Sequence, residues 1–354
     1  MGKLILETLS PIHIGSGEKY SSSEFFINDN NILRFDVNKI YSILNQKDKD
    51  IFLDYLENPN FRLEDFIRGK DIPISELKLY SLKHNGSTPN EITEHIKTGF
   101  NGYVPGSSLK GAIRTAILIA FMGDNEVKEI GKIFKIKNFQ QRNNKIKDFV
   151  DKFLSRGGKQ SSYSDLMRFV QISDFIPVKD LCVYNIQSLE AEGTKWKWYR
   201  RNGRVVQTYL ETIRAGERLE GDIHFTYNKQ MHESLGLKGK KDIIDIMEIK
   251  RLIHSFSNAI INHEIAFSQR YEIDFLLEFY EKLKKINTKD SPVIKLGQGS
   301  GYLATTIGLE LKNNHDVFEN VRTSLRGRSY SFEFPKTRRI VMEEKMPLGW
   351  CRVI

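Results

Sequence analysis

One segment in the first half of the chain has clear helical periodicity. After a break at residues 105–108, apolar side chains recur at three- and four-residue spacing up to Gly123, at Leu109, Ala112, Ile113, Ala116, Ile117 and Ala120. Such spacing puts them on one face of a helix. Lys110 and Arg114 lie one turn apart on another face. The pattern predicts a helix that buries one side and carries cations near its N-terminus.

Other segments have the patterns of strands and of longer helices. Alternation over residues 3–14 predicts an opening strand that runs into a glycine turn. Strand-like runs follow at residues 169–178, 181–189, 204–213 and 219–227, and the last residues, 346–354, predict a turn and a closing strand. Residues 243–286 have helical periodicity, with a break near Asn262 or Arg270. These patterns predict an α+β fold.

Composition narrows the class of protein. The 354 residues include 40% hydrophobic and 28% charged residues, which is typical of a folded chain, and the length favours two domains or one domain with a large insertion. The formal net charge of +9 favours polyanionic partners. The two cysteines, Cys182 and Cys351, form neither a metal-ligand pair nor a disulfide framework. With no signal peptide or membrane-spanning run, we expect a soluble cytoplasmic protein without membrane partners.

The start of the predicted helix is the first candidate binding site. Gly106 and Gly111 resemble the glycines of a phosphate-binding P-loop, but Ala112 and Ile113 stand where that motif needs Lys and Ser or Thr. What remains is a helix N-terminus, where unpaired amides attract anions. Its candidate RNA-binding residues are Ser107, Ser108, Lys110 and Arg114. The alternative is ordinary helix capping by one of the two serines.

A glycine-rich loop near the C-terminus is the second candidate. Gly297, Gly299 and Gly301 do not have the spacing of a dinucleotide-binding fingerprint, and no strand and acidic residue accompany them as that motif requires. The loop could press main-chain amides against phosphates or against a neighbouring subunit. The alternative is a tight connection with no ligand.

The third candidate alternates cations with aromatic residues and turns at Asn202-Gly203. Its aromatic rings suit stacking on bases and its cations suit phosphates, as in proteins that bind single-stranded RNA. The alternative is an exposed hairpin whose aromatics pack across the strand pair. The candidate RNA-binding residues are Lys195, Trp196, Lys197, Trp198, Arg200 and Arg201.

His13 is the one histidine placed for catalysis. It lies beside the glycine turn, where a general acid or base for RNA cleavage could stand. It has no partner in the nearby sequence, so a structural or RNA-contacting role is the stronger interpretation. No motif for a metal site, a cofactor or a nucleophile is present, and we expect no catalytic residue, no metal and no cofactor.

Two further segments are strongly basic. Residues 128–159 contain ten Lys and Arg against three acids, and residues 322–339 contain six against Glu333 alone. Basic runs of this kind usually form the solvent-exposed face of a helix. The second run could extend an RNA track.

Four segments together resemble the RAMP proteins of type III CRISPR systems: residues 9–17, 103–115, 297–301 and 347–350. Their order and spacing along the whole chain make the set specific. Within that superfamily the chain is most similar to the family of fifth subunits of the type III-A Csm effector complex.

The resemblance implies two ferredoxin-like, RRM-related RAMP domains with insertions. We expect an N-terminal domain at residues 1–228, with a helical insertion at about 25–100 and a candidate hairpin thumb at about 190–213. A C-terminal RAMP-like domain at residues 229–354 would carry helices and the glycine-rich loop. The helix predicted after Pro105 would be the first helix of the RAMP domain.

The resemblance also implies a function. It predicts a non-catalytic RNA-binding subunit that caps the backbone filament at the 3′ end of the guide RNA and assists guide maturation. Its partners would be guide RNA, target RNA, the backbone and small subunits of the Csm complex, and host maturation nucleases. Two alternatives remain: a metal-independent CRISPR RNA-processing endoribonuclease of the same superfamily, and a structural cap with little RNA contact.

Overall fold

The computed structural model describes residues 2–58, 60–68, 70, 72–84, 86–154, 165–178, 180–226, 245–326 and 333–354. The fold is α+β, as predicted, and its strands form two large sheets and a small two-stranded ribbon. The strands are β1 Gly2–Thr8, β2 Gly15–Ser21, β3 Phe25–Asn28, β4 Asn31–Phe35, β5 Lys78–His84, β6 Glu91–His95, β7 Lys97–Thr98, β8 Asn101–Val104, β9 Val170–Ile172, β10 Phe175–Val178, β11 Leu181–Glu192, β12 Lys195–Trp198, β13 Arg200–Arg201, β14 Arg204–Val205, β15 Gln207–Ile213, β16 Arg218–Phe225, β17 Val293–Lys295, β18 Thr337–Val341, β19 Met346–Pro347 and β20 Trp350–Val353.

The helices lie in three groups along the chain. They are α1 Val37–Ile43, α2 Gln46–Leu56, α3 Leu63–Ile67 and α4 Ile74–Leu77, then α5 Gly106–Ala120, α6 Asp124–Phe134 and α7 Phe139–Leu154, and finally α8 Ile246–Arg270, α9 Asp274–Ile286, α10 Gly301–Thr305, α11 Gly308–Lys312 and α12 His315–Arg326. A short 3-10 helix spans Leu166–Phe169.

The first sheet joins the two ends of the chain. Its strand order is β17-β20-β1-β16-β10-β8-β7, and β9 pairs with β16. Strand β1 lies antiparallel to β16, with Leu6 opposite Leu219, and antiparallel to β20, with Thr8 opposite Cys351. The closing strand therefore lies beside the opening strand.

The second sheet is built around the long strand β11. Its order is β2-β6-β15-β11-β5-β4-β3, and β12 and β18 also pair with β11. The largest hydrophobic core cluster contains Leu6 of β1, Val183 of β11, Ile117 of α5 and Ile253 of α8. The two sheets and the central helices thus share one core.

The structure confirms the helix after Pro105, whose buried side chains include Leu109, Ile113, Ala116 and Ile117. It also confirms a break after Arg270, because α8 ends there and α9 begins at Asp274. The run 169–178 is two strands, since Ser173 and Asp174 interrupt it.

Residues 25–100 contain helices α1–α4 and also strands that join the second sheet. The division into domains at residue 228 stays a prediction. The end of the first basic segment, at residues 155–159, and the end of the strand run at Tyr227 lie outside the described residues.

Candidate RNA-binding surface

Helix α5 begins without a side-chain cap. Its N-cap residue is Pro105, and neither Ser107 nor Ser108 caps the backbone, so the capping alternative is wrong. Instead, the Gly106 N–H donates to Oδ1 of Asp174 at 2.9 Å. The Ser107 side chain is exposed at the helix start. Asp174, which no sequence motif marks, satisfies one of the free amides and places a negative charge at that end of the helix.

The two glycines of α5 have different surroundings. A β-carbon on Gly106 would lie well inside 3.0 Å of the carbonyl oxygens of Ile172 and Ser173, a separation that real β-carbons do not reach. A β-carbon on Gly111 would meet nothing within 4 Å. Gly106 is therefore required by packing against the β9–β10 connection. Gly111 leaves an open surface.

Lys110 and Arg114 lie beside that open surface, and both side chains are half-exposed. Lys110 forms no ion pair with any residue that the structure describes, and Arg114 has only a long contact of 3.9 Å with Asp165. Two cations with so little compensation on the protein remain available to an external anion.

The glycine-rich loop packs against the backbone of the N-terminal motif. Gly297, Gly299 and Gly301 all have positive φ, at 72°, 88° and 76°. The Gln298 N–H donates to the carbonyl oxygen of His13 at 2.8 Å. A side chain at Gly297 would collide with that same oxygen. The loop is therefore a tight connection between β17 and α10.

The C-terminal motif completes this arrangement. The Leu296 N–H donates to the Gly349 carbonyl at 2.7 Å, and the Gly349 N–H donates to the Pro11 carbonyl at 2.9 Å. Three of the four segments that suggested the resemblance therefore meet in space. Main-chain hydrogen bonds connect them.

His13 is fully buried and holds backbone in place. Its Nδ1 lies 2.6 Å from the carbonyl oxygen of Glu211. Since a carbonyl only accepts, Nδ1 carries the proton and the neutral ring leaves Nε2 as an acceptor. Burial lowers the pKa of His13, and the nearby charges of Arg339 and Lys97 lower it further, against the effect of the backbone hydrogen bond.

His95, which the sequence analysis missed, connects the fourth segment to the other three. Its Nδ1 accepts from the Ile14 N–H at 3.2 Å, and its Nε2 donates to the Tyr103 carbonyl at 3.1 Å. Burial and the neighbouring His13 lower its pKa to about 3, so the ring is neutral. The two rings make an edge contact with centroids 5.8 Å apart. No local motif marks this residue, because its partners lie far away in sequence.

A buried carboxylate lies below the two histidines. The Glu211 carboxylate accepts from the hydroxyls of Tyr20 and Tyr80 at 2.7 and 2.9 Å. It also accepts from the main-chain N–H of His95 at 3.0 Å. It also forms an ion pair with Lys97. Burial and the charge of Glu211 raise the pKa of both tyrosines. With its oxygens satisfied in this way, the carboxylate fixes β15 to β2 and β6.

Two further cations approach the glycine-rich loop. Lys295 immediately precedes it, with Nζ 5.6 Å from the centroid of the Trp350 ring, and burial lowers its pKa to about 8. Arg339 lies beside Gly299, and burial lowers its pKa. Neither forms an ion pair within the described part of the chain. The loop therefore has cations on two sides.

The segment at residues 195–204 divides into two parts. Strand β12 pairs with the end of β11, and the rings of Trp196 and Trp198 meet edge to face at 5.5 Å. Trp196 also contacts Phe275 of α9, with centroids 6.5 Å apart. Both indoles are half-buried against the second core cluster. The two rings contact each other along β12, and Trp196 also packs on α9, whereas the alternative expected packing across the strand pair. Stacking of these rings on bases stays a prediction.

The outer part of this segment is exposed. Asn202 and Gly203, with φ of 51° and 77°, form the predicted turn between β13 and β14. Lys197 is paired with Glu192, and Arg200 donates to the Gly203 carbonyl at 3.0 Å. Lys195 and Arg201 form no ion pair among the described residues. These two are the cations of the segment that remain available.

Within the described ranges, no three His, Cys, Asp or Glu side chains are grouped so as to hold a metal ion. No helix in those ranges has both the length and the apolar character needed to cross a bilayer.

Comparison with known proteins gives three kinds of match. The family model of the RAMP superfamily matches residues 5–304. The CRISPR system Cms protein Csm5 of Methanocaldococcus jannaschii is 26% identical, over 98% of this chain and 87% of that protein. The Csm5 protein of Streptococcus thermophilus is 27% identical, over 86% of this chain and 79% of that protein.

Solved structures agree with these relatives. One chain in the cryo-EM structure of a type III-A Csm–crRNA–target RNA ternary complex covers this chain completely, with a TM-score of 0.72 and 25% identity. The crystal structure of T. onnurineus Csm5 covers 98% of it, with a TM-score of 0.66 and 22% identity, and supports the fold alone. The resemblance inferred from the four segments is confirmed, as are the ferredoxin-like RAMP domains.

Proposed function

Because the chain belongs to the RAMP superfamily, we propose that it is a non-catalytic, RNA-binding subunit of a type III-A CRISPR effector complex. It caps the backbone filament at the 3′ end of the guide RNA and assists guide maturation in the cytoplasm. Its partners are guide RNA, target RNA, the backbone and small subunits, and the maturation nucleases of the host.

One observation carries this proposal. The chain matches, from end to end and with a TM-score of 0.72, a protein in a complex that contains guide and target RNA. The geometry is consistent with RNA contact, because two cations, Lys295 and Arg339, lie beside the glycine-rich loop and two half-exposed cations lie near the start of α5. Lys110, Arg114, Lys295 and Arg339 are the side chains we assign to phosphates.

The histidines support a scaffolding role. Three of their four ring nitrogens hold backbone, through the Glu211 carbonyl, the Ile14 amide and the Tyr103 carbonyl. A general acid or base needs a ring free to exchange a proton with its substrate. We therefore assign His13 to shaping the surface and not to cleavage.

A test is the position of the chain in the purified complex. A guide labelled with a photoreactive nucleotide at either end should crosslink to this subunit from the 3′ end. Crosslinking from the 5′ end alone would contradict capping at the 3′ end. Crosslinking from neither end would support the alternative of a structural cap with little RNA contact.

The cations of α5 give a second test. Replacing Lys110 and Arg114 together with Ala should reduce guide retention in the assembled complex while the chain stays folded. The matched control is Lys39→Ala with Lys47→Ala, which removes the same charge from two exposed positions in the insertion. Equal guide retention in both variants would count against the assignment.

One observation favours the endoribonuclease alternative. Nε2 of His13 has no hydrogen-bond partner among the described residues, so it is the ring nitrogen that a base would use if substrate reached this buried side chain. Purified protein should leave repeat RNA intact in the presence of a metal chelator. Cleavage that disappears in His13→Gln would establish the alternative instead.

A further inference from the structure

The corner between α6 and α7 is a second exposed surface that the proposed function does not use. We define the α6–α7 corner as residues 132–147, which run from the last turn of α6 through the start of α7. The Gln141 N–H donates to Oδ1 of Asn138 at 2.9 Å, which caps the start of α7. Ser324 of α12 donates to the Phe134 carbonyl at 3.1 Å, and Gly131 packs directly on Val317. The corner is therefore fixed to the body of the protein.

Its charge is of one sign. Residues 132–147 contain six Lys and Arg and no Asp or Glu. The lysines are all exposed, and none of them forms an ion pair in the described part of the chain; they are Lys132, Lys135, Lys137, Lys145 and Lys147. Some exposed helix cations elsewhere in this protein are paired, as Lys282 is with Glu278 and Arg251 with Glu248. Charge of a single sign without counterions favours a polyanion.

An exposed ring lies within this charge. Phe139 is 67% exposed, the most exposed large hydrophobic side chain in the described residues. The guanidinium of Arg142 lies 5.6 Å from the centroid of Phe139 and 5.7 Å from that of Phe134. Packing does not account for a phenyl ring held in solvent beside a guanidinium. A ring and a planar cation amid lysines are the parts from which proteins build platforms for single-stranded nucleic acid.

We propose that the α6–α7 corner binds single-stranded RNA, with Phe139 stacking on a base and Lys135, Lys137, Arg142 and Lys145 contacting phosphates. The exposed ring distinguishes this ligand from an RNA duplex, whose bases are already stacked, and from an acidic peptide, which has no base to stack. Helix α7, whose first turns belong to the corner, packs against α5, the helix that carries Lys110 and Arg114. RNA binding by the corner does not depend on the proposed function. The identity of the bound RNA, as an RNA of the effector complex, does rest on it.

The test uses the full chain and a labelled oligouridine of about 20 nucleotides, read by fluorescence anisotropy at several salt concentrations. Phe139→Ala should weaken binding about 5- to 20-fold, and Phe139→Trp should retain it, because a stacking ring is restored. The matched control is Phe100→Ala, since Phe100 is also exposed, at 52%, and lies beside the ring of Tyr80. Equal affinities of Phe139→Ala and the unmodified chain would overturn the proposal.

The charges are tested separately. Replacing Lys135, Lys137 and Lys145 with Ala should reduce the slope of log affinity against log salt by about 2, because single strands contribute about 0.7 for each phosphate contact. Replacing the exposed Lys39, Lys47 and Lys284 should leave the slope nearly unchanged. If the slope changes equally in both triple variants, the lysines of the corner act only through the general positive charge of the protein. That result would overturn the corner as a binding site.

A photoreactive residue at position 139 then identifies the occupant in the assembled complex. Crosslinks to RNA are expected, and crosslinks to protein alone would overturn the proposal. The oligouridine has no CRISPR sequence, so its binding does not depend on the guide. Normal oligouridine binding by Phe139→Ala, together with guide loss in the Lys110 and Arg114 variant, would reject the corner and leave the proposed function standing. The reverse pair of results would reject the α5 assignment alone.

Discussion

Gly297 lies directly against the carbonyl oxygen of His13, with no room for a β-carbon between them. The N–H of the next residue, Gln298, donates to the same oxygen at 2.8 Å. This contact joins two motifs that stand at opposite ends of the sequence. It also gives Gly297 a structural requirement in addition to its positive φ.

Gly297→Ala should destabilise the protein more than Gly301→Ala. Both residues have positive φ, which costs an alanine about 1–2 kcal/mol. Only Gly297 also lacks space, and overpacking adds about 1–3 kcal/mol. A β-carbon on Gly301 would meet nothing within 4 Å. The free energy of unfolding, measured in urea, should separate the two variants, and equal losses would show that the loop can move away from His13.

Much of this site could be predicted from the sequence, but the contacts between residues far apart in the sequence could not. Helix α5 was predictable because its periodicity is local. The buried groups around Glu211 were not, because its partners Tyr20 and Lys97 are 191 and 114 residues away. The packing role of Gly106 was equally hidden, since it depends on the β9–β10 connection folding against it. Short elements within residues 25–100 lack the length over which a period becomes visible.

The free energy of unfolding should decrease as the pH is lowered, partly because of His95. Its pKa is about 3 in the folded protein against an ordinary value of 6.5 for histidine, so the unfolded chain binds the proton more tightly. This contribution is complete above about pH 6.5 and is lost as the pH falls toward 3. Between about pH 7.5 and pH 5 the loss is about 2 kcal/mol.

The variant His95→Gln tests this assignment, because an amide can accept from Ile14 and donate to Tyr103 without titrating. Urea unfolding at both pH values should show a smaller pH dependence in the variant than in the unmodified protein. Some dependence should remain, since the pKa of His13 is also lowered. Identical pH dependence in the two proteins would contradict the assignment.

Breaking the ion pair of Arg338 with Glu264 should lower the free energy of unfolding far more than breaking an ion pair on the surface. Nε of Arg338 lies 2.7 Å from the carboxylate, and both side chains are at least 93% buried. Burial opposes the charged form of Glu264, but Arg338 keeps its pKa below the usual value. Arg338→Met should cost about 3–5 kcal/mol, because it leaves a buried carboxylate unpaired.

Two controls accompany Arg338→Met. Adding Glu264→Gln should recover part of the loss, and Lys282→Met, at an exposed pair, should cost about 1 kcal/mol or less. The loss should also shrink in acid, since the unpaired carboxyl group can then take up a proton. A loss that is the same at acidic and neutral pH, and that Glu264→Gln does not relieve, would show that packing of Arg338 on Phe267 is the dominant effect.

Variants within residues 195–204 should affect either RNA contact or stability, depending on the side chain that is replaced. Lys195 and Arg201 are exposed and have no ion pair among the described residues, so replacing both with Ala should reduce crosslinking to RNA without changing the unfolding free energy. Trp196 packs on Phe275, so Trp196→Ala should cost about 1–3 kcal/mol, less than for a fully buried Trp.

The matched control for the charges is again the Lys39 and Lys47 pair. Crosslinking of guide and target RNA in the assembled complex, together with urea unfolding of the purified chain, provides both readouts. If Lys195 and Arg201 contact RNA, their variant loses crosslinks that the control retains. Full crosslinking in the Lys195 and Arg201 variant would remove these cations from the RNA surface and leave the segment as a hairpin that covers α9.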